Sequence, residues 1–344
     1  MRAAVRAHSD RDTGTGFTTE VDRTMAELAH PGQWTARRRW GLLSSLSFRD
    51  VPLARLVEAH LDALAIRTEI LGAGAGQHGY WGVWAAEPPD GRVTARPDGD
   101  GGYTLSGTKR WCSGSHLCTH ALVTVHAPDG RVLVEVDLAQ DAVTPSEGEW
   151  TGLGMRGADT GSVAFDAAGA TVVGGPGSYL DRAGFWHAAI GVAACWYGGA
   201  AGLAAPLRRA GAAGRLDEHA LAHLGAVDAA LHAARCALRE AAATIDRRAL
   251  ERSERSERSH SPQDSGEPVP DARRRALRVR AVVEAAVTTV ADHVGRALGP
   301  APLAHDADHA QRLADLTVYV RQSHAERDLA ALGRIGAPED GGAL

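Results

Sequence analysis

Gly107-Thr108-Lys109-Arg110-Trp111-Cys112-Ser113-Gly114 is the stretch on which the fold turns. It follows a turn-rich strand pattern, Tyr103-Thr104-Leu105-Ser106, and precedes the apolar run Ala121-Leu122-Val123-Thr124-Val125. Further on come Leu153-Gly154-Met155-Arg156-Gly157-Ala158-Asp159-Thr160 and then Val163-Ala164-Phe165-Asp166. Around these motifs, Pro88-Pro89-Asp90-Gly91, Pro97-Asp98-Gly99 and Pro128-Asp129-Gly130 are turn signals that separate short strand-like runs. The clearest runs are Ala121–His126, Arg131–Leu138 and Ser162–Phe165, and they predict a small antiparallel barrel or sandwich.

Outward from this centre the pattern becomes helical on both sides. Leu53, Leu56, Val57, Leu61, Leu64 and Ala65 fall at helical spacing within 51–71, with Asp50 as N-cap and Gly72 as stop. Gly72 to Gly82 reads as a loop. Its Gly-Ala-Gly-Ala-Gly follows a helix rather than a strand, so it is not read as a dinucleotide-binding turn. Downstream, helices are predicted near Phe185–Ala210, Glu218–Leu250, Asp271–Leu298 and Ala307–Leu332, an antiparallel bundle. Between the second and third, Glu251 to Pro270 is polar, repetitive and proline-bearing. It predicts a dispensable loop in which only Val269 could join a core. The expected class is α+β: an N-terminal helical domain (1–85), a middle antiparallel β-barrel domain (86–178) and a C-terminal four-helix bundle (179–344) with a low-complexity loop at 251–270.

The motif order resembles the middle β-domain of the acyl-CoA dehydrogenase superfamily, whose patterns read G-x-K-x-W/F-I-T/S and L-G-x-R-x-S/A-x-T. Helical domain, barrel and bundle is that family's architecture. The resemblance implies FAD, with Trp111 packed on the isoalloxazine and the Ser113 hydroxyl donating near N5. Such a donor tunes a reduced flavin that carries negative charge. Glu87, in Trp84-Ala85-Ala86-Glu87-Pro88, stands in the family's T-E-P loop beside the flavin, with Ala86 in place of the Thr. Pro89-Asp90-Gly91-Arg92 replaces the G-x-G-S-D continuation that contributes to phosphate binding. The R-x-x-F-G segment that grips FAD across a subunit interface is matched by Arg208 to Arg215 without its Phe, leaving Arg209 as a phosphate-binding candidate. The family's Q-x-x-G-G segment has become His293 to Gly299.

The resemblance further implies oxidation of an acyl thioester at Cα–Cβ, with a Glu as α-proton base. No Glu-Gly-Thr exists here; Asp315 is the carboxylate nearest the expected place. A second candidate is Glu326, in the run Arg321 to Asp328, where helical spacing puts Arg321, His324 and Asp328 on one face and Gln322 with Glu326 on another. The implied partners are an electron-transfer flavoprotein or, for a monooxygenase on the same fold, a flavin reductase. Such a monooxygenase lacks the Glu base, as this chain does. A flavin-free binding or scaffold protein is a further alternative, supported by the missing Thr and G-S-D. A homodimer or homotetramer is expected, because alanine-rich helices pack well against copies of themselves and the family's FAD site needs a neighbouring subunit.

Composition bounds these readings. The 344 residues carry 37 basic and 42 acidic side chains, a net charge of −5, with no basic surplus for a nucleic-acid backbone. No apolar run of about 18 residues suggests a membrane span. The polar N-terminus shows no signal-peptide core, and four scattered cysteines fit a reducing cytoplasm. Cys112, His116, Cys118 and His120 form C-x3-H-x-C-x-H, but no second ligand cluster accompanies them, and no metal is expected.

Overall fold

The structure, a computed structural model, describes residues 2–28, 34–72, 78–258 and 267–336. The chain divides into two compact units. The first comprises Met1–Glu27, Arg55–Gly152 and Arg156–Phe185; the second comprises Leu28–Ala54, Leu153–Met155 and Trp186–Leu344.

In the first unit a seven-stranded sheet is built from β1 (Trp81–Trp84), β2 (Val93–Pro97), β3 (Tyr103–Cys112), β4 (His120–Ala127), β5 (Gly130–Asp137), β6 (Val143–Pro145) and β7 (Gly161–Gly174). Pairings β4–β2, β2–β3, β3–β7, β7–β5 and β5–β4 close a barrel. The predicted strand runs lie within β4, β5 and β7. The expected all-antiparallel pattern fails in two places: β4 pairs in parallel with β1 and, at Thr94 with His126, with β2. The β2–β3 hairpin intervenes in the chain between β1 and β4, and a tight turn cannot make a parallel pair. Leu105, Val123, Val134, Val163 and Phe165 fill the barrel's buried core.

The first strand, Trp81–Trp84, lies ahead of residue 86, where the sequence placed the start of the barrel. Helix α1 (Arg2–Leu28) contributes buried Phe17, whose ring tilts against Tyr80 at 5.8 Å. Helix α3 (Val51–Leu71) begins as predicted, with Leu53 N–H donating to the Asp50 carboxylate at 2.8 Å, and Gly72 beyond its end has φ +89°. The rest of the glycine-rich stretch, 73–77, lies outside the described residues. On α3, His60 is buried and its Nδ1 accepts the Trp81 backbone N–H at 3.2 Å.

In the second unit, α2 (Ala36–Arg49) packs closely on α4 (Ala183–Leu203): the Ser47 hydroxyl donates to the Cys195 carbonyl at 2.6 Å. A Cβ on Gly198 would lie 2.2 Å from the Ser44 carbonyl oxygen, so only glycine permits this approach. The chain continues through α5 (Ala205–Ala212), α6 (Glu218–Arg258), α7 (Val269–Leu298), α8 (Ala301–His305), α9 (Ala307–Tyr319) and α10 (Glu326–Gly336). Arg280 on α7 is buried, donates to the Ala189 and Gln322 carbonyls at 3.0 and 3.1 Å, and lies 4.6 Å over the Trp196 ring. Among the described residues no single helix is long and apolar enough to cross a membrane.

The second unit also departs from the sequence reading: the helix expected at Phe185–Ala210 breaks at Ala204 into α4 and α5. The repetitive Ser-Glu-Arg stretch continues α6 as far as Arg258, because Glu and Arg are good helix formers; residues 259–266 of the expected loop lie outside the described residues. At its end it is Glu267, not Val269, that is buried. Its carboxylate takes His187 Nε2 at 2.7 Å, Arg248 at 2.9 Å and Arg275; burial would raise its value, but the hydrogen bonds from His187 and Arg275 outweigh it and hold the carboxylate at about 2, well below the ordinary value. The predicted helix 307–332 is also broken. Ser323 turns out of it, its hydroxyl donating to Glu284 at 2.6 Å and accepting from Ala325 N–H at 3.2 Å, and Ala325 has φ +40°.

Two acid transitions follow. His60 is held neutral by burial, its value lowered from 6.5 to about 4. The stability it contributes is present above pH 6.5 and is lost as pH falls toward 4, on the order of 3 kcal/mol in the first unit. Glu267 contributes stability present above pH 4.5 and lost toward pH 2, of similar size. His60→Gln should flatten the melting temperature between pH 6.5 and 4. Glu267→Gln should destabilise by about 2–3 kcal/mol at pH 7, by denaturant titration. For the same reason, replacing 252–268 with a short linker should be destabilising, whereas replacing 259–266 alone should be tolerated.

Candidate flavin site

The site grows out of an irregularity in β3. Its inward-facing residues are Leu105 and Lys109, both buried, so strict alternation would send Trp111 inward and Cys112 outward. The pairing with β7 shifts instead: Lys109 faces Val163 but Cys112 faces Gly161, so β3 carries one extra residue. Such a bulge re-aims side chains. Trp111 takes φ +61°, and its indole is 58% exposed, while Cys112 turns into the core. A left-handed tryptophan is uncommon and marks a place where the surroundings enforce the conformation.

Lys109 fixes this register. Its ammonium is buried and donates to Glu87 Oε1 at 2.8 Å, the Thr124 carbonyl at 2.7 Å and Thr124 Oγ1 at 2.9 Å, which satisfies all its protons. The remaining Glu87 oxygen faces His126 Nε2 at 2.8 Å. Burial lowers the Lys109 value, and hydrogen bonds from Lys109, Thr124 and His126 outweigh burial in lowering that of Glu87. Both oxygens of Glu87, expected beside the cofactor, are thus engaged with protein groups.

Beyond Cys112 the two sequence motifs meet. Gly114 N–H donates to the Ala158 carbonyl at 3.0 Å, Ser115 N–H to the Asp159 carbonyl at 3.1 Å, and the Ser113 and Thr160 hydroxyls lie 3.0 Å apart. Trp84 Nε1 donates to the Ser113 carbonyl at 3.0 Å. Gly114 has φ +71°, and a Cβ there would lie 2.7 Å from Cys118 Sγ. Trp111 meets Trp150 edge-on, ring centres 5.8 Å apart. His116 Nδ1 lies 2.8 Å from Asp159 Oδ1. Trp150 and the pairing of His116 with Asp159 were not read from the sequence as parts of this site: Trp150 lies just ahead of the second motif, Asp159 within it, and His116 stood only in the C-x3-H-x-C-x-H pattern. An exposed aromatic residue on the turn where two hydroxyls meet is a set of groups that suits a flavin ring.

The other candidates lie in the second unit. Asp315 on α9 is buried, and its Oδ1 accepts from Met155 N–H at 2.6 Å and from Gln311 Nε2 at 2.8 Å. Burial nevertheless raises its value. Gly154 lies so close to α9 that a Cβ would sit 2.2 Å from the Ala314 carbonyl oxygen. Glu326 is exposed in the first turn of α10, beyond the break at Ser323; Arg321, His324 and Asp328 therefore share no helix face, although His324 N–H still donates to Asp328 at 3.4 Å. Arg209 is exposed on α5, and its neighbour Arg208 pairs with Asp228 at 3.3 Å. The structure thus gathers Trp111 and Ser113 in one place and distributes Asp315, Glu326 and Arg209 over three helices. Of the zinc-like pattern, Cys112 donates to the Lys109 carbonyl and His120 stacks on Trp81 at 4.8 Å; among the described residues no three His, Cys, Asp or Glu side chains are grouped to hold a metal.

No protein-family model matches the chain. An amino sugar nitrososynthase, RubN8 of Streptomyces rubradiris, is 36% identical over 121 residues, 33% of this chain and 26% of that protein. A dibenzothiophene monooxygenase of Rhodococcus qingshengii is 35% identical over 82 residues, 22% of this chain and 19% of that protein. The matches thus span about a quarter or less of these relatives' length. Among solved structures, KijD3 in complex with FMN and dTDP-3-amino-2,3,6-trideoxy-4-keto-3-methyl-D-glucose superposes with a TM-score of 0.76 at 20% identity, covering 97% of this chain and 90% of that one. FMN-bound TdsC of Paenibacillus sp. A11-2 gives 0.74 at 19%, covering 95% of each. Methanesulfinate monooxygenase MsuC of Pseudomonas fluorescens gives 0.75 at 18%, covering 98% and 97%. The chain therefore shares the fold of these proteins.

Proposed function

We propose that this chain is a flavin-dependent monooxygenase acting on a small heteroatom-bearing molecule, with reduced FMN supplied by a separate reductase. The observation that carries the proposal is the bulged turn that presents an exposed, left-handed Trp111 beside the Ser113–Thr160 hydroxyl pair. Partial identity to a nitrososynthase and a dibenzothiophene monooxygenase, and the fold of FMN-bound proteins, favour oxygenation over the acyl-CoA dehydrogenation first expected. FMN is favoured over FAD because it has no adenylate: the R-x-x-F-G and Q-x-x-G-G grips, degraded here, are then unnecessary.

In this reading Trp111 provides the aromatic surface for the ring, and Ser113 and Thr160 provide hydroxyls at its polar edge. Bound there, reduced FMN supplies the electrons for activating dioxygen. Glu87 and Lys109 act as positioning residues that hold β3 in register. Asp315 braces Leu153–Met155 through the Met155 N–H rather than abstracting a carbon-bound proton, and oxygenation of a heteroatom needs no such base. Arg209 remains available to a phosphate, and Glu326 to solvent or a substrate. Assembly of copies as a dimer or tetramer is part of the proposal.

The test is flavin titration followed by oxygenation assays with a reductase. FMN should bind at least tenfold more tightly than FAD. Trp111→Ala should weaken FMN at least tenfold, about 1.4 kcal/mol, by fluorescence titration. Unchanged FMN affinity in that variant would remove the turn as the site. Asp315→Ala should destabilise by about 1–3 kcal/mol, because the buried Met155 N–H loses its acceptor. The wild type should show no bleaching of bound flavin by acyl-CoA; bleaching would restore the dehydrogenase reading.

A further inference from the structure

We infer that His116, held by Asp159, is the acid–base residue of this site and that the substrate it serves arrives as an ammonium ion; the inference rests on the monooxygenase reading above. The side chains concerned lie in the first unit, within residues 111–116 and 147–160, and are joined by several contacts. The Trp111 ring meets that of Trp150, and Trp150 leads back through Gly148 to Glu147. Glu147 Oε1 lies 3.5 Å from His116 Nε2, and His116 Nδ1 lies 2.8 Å from Asp159 Oδ1. Asp159 adjoins Thr160, whose hydroxyl is 3.0 Å from that of Ser113, two residues beyond Trp111. His116 therefore stands on the rim of the surface that carries the flavin-binding candidates.

Asp159 is a built orienting group. Its Oδ2 accepts the His116 backbone N–H at 2.6 Å while its Oδ1 engages the ring, and its own φ of +45° is an unusual conformation for a non-glycine residue. A carboxylate at Nδ1 keeps the proton there and leaves the Nε2 lone pair to act as base. Ser115 Oγ also lies 3.2 Å from Nδ1. The His116 side chain is 35% exposed, and the carboxylate 3.5 Å from its Nε2, that of Glu147, is 92% exposed, so a ligand can reach this nitrogen by displacing a solvated side chain. The charged groups that meet it are the carboxylates of Asp159, at 2.8 Å, and Glu147, at 3.5 Å; Arg110 pairs instead with Asp90 at 2.9 Å, and Glu149 accepts from the Ser162 hydroxyl at 2.7 Å. The carboxylates favour an incoming cation.

The substrate class follows from proton bookkeeping. A thioether sulfur has its lone pair free at every pH. An alkylamine, with a pKa near that of lysine at about 10, is protonated at neutral pH and must lose a proton before its nitrogen can attack an electrophilic oxygen. In the step assigned here an ammonium N–H proton moves to His116 Nε2 and the bond pair stays on the substrate nitrogen. The imidazolium charge is then stabilised by Asp159, and the proton later passes to water. Nothing is oxidised or reduced in this step.

The experiment uses the full chain loaded with FMN, with glucosamine and thioanisole as probes. Histidine-selective NMR should find the His116 proton on Nδ1 in the free protein, and glucosamine should move its signals toward imidazolium. His116→Gln should lower kcat/KM for glucosamine oxygenation about a hundredfold, a loss at least tenfold larger than for thioanisole. Asp159→Asn should displace the Nδ1 proton and slow glucosamine turnover about tenfold. A proton on Nε2 in the free protein, a His116 signal indifferent to glucosamine, or equal loss with both probes would overturn the assignment. If His116 responds to glucosamine as stated but the wild type oxygenates neither probe, it is the monooxygenase reading that fails.

Discussion

A lysine ammonium inside a β-barrel is the constraint on which the first unit depends. Desolvating that charge costs several kcal/mol unless every proton finds an acceptor. Lys109 meets the condition with Glu87, from the loop after β1, and with two oxygens of Thr124 on β4. Because its donors must reach these acceptors, Lys109 can face only inward, and that settles the register of β3 up to the point where the bulge begins. The charge is better understood as specifying an arrangement than as adding stability, since an apolar side chain of equal volume would avoid the desolvation cost.

From that fixed point the site is assembled by exceptions to regular structure. One extra residue in β3 exchanges the facings of Trp111 and Cys112, so the indole leaves the core and a small thiol replaces it. The turn that follows pairs its backbone with Ala158 and Asp159, and this brings two motifs far apart in the chain within hydrogen-bonding distance. Strain is concentrated here, with Trp111 and Asp159 both at positive φ. Geometry held this firmly by neighbours suits a surface that must be in place before a ligand arrives.

The second unit uses buried charge in the same manner. Glu267 gathers His187, Arg248 and Arg275, and Arg280 closes on two carbonyls and the Trp196 ring. A single carboxylate thus ties α4, α6 and the start of α7 together at the end of a polar stretch whose composition suggested nothing of the kind.

The succession of helices, strands and helices was legible in the sequence, because hydrophobic period and turn residues are local properties. Asp50 capping α3 and the strand runs in β4, β5 and β7 are of that type. The lysine, tryptophan and serine of the central motif were also legible as a unit, since their spacing is covalent. What the sequence left open was decided by contacts between distant residues. Alternation alone would have buried Trp111, and only pairing with β7 turns it outward. Asp315 looked like a base because it is a carboxylate near the right place; that it accepts the Met155 N–H follows from a loop-to-helix approach close enough to require glycine at 154. His116 read as one of four metal-type residues, and it became half of a His–Asp pair because Asp159, forty-three positions away, folds back onto it. Local chemistry determined the elements, whereas long-range hydrogen bonding decided which side chains face solvent, which are held, and which can act.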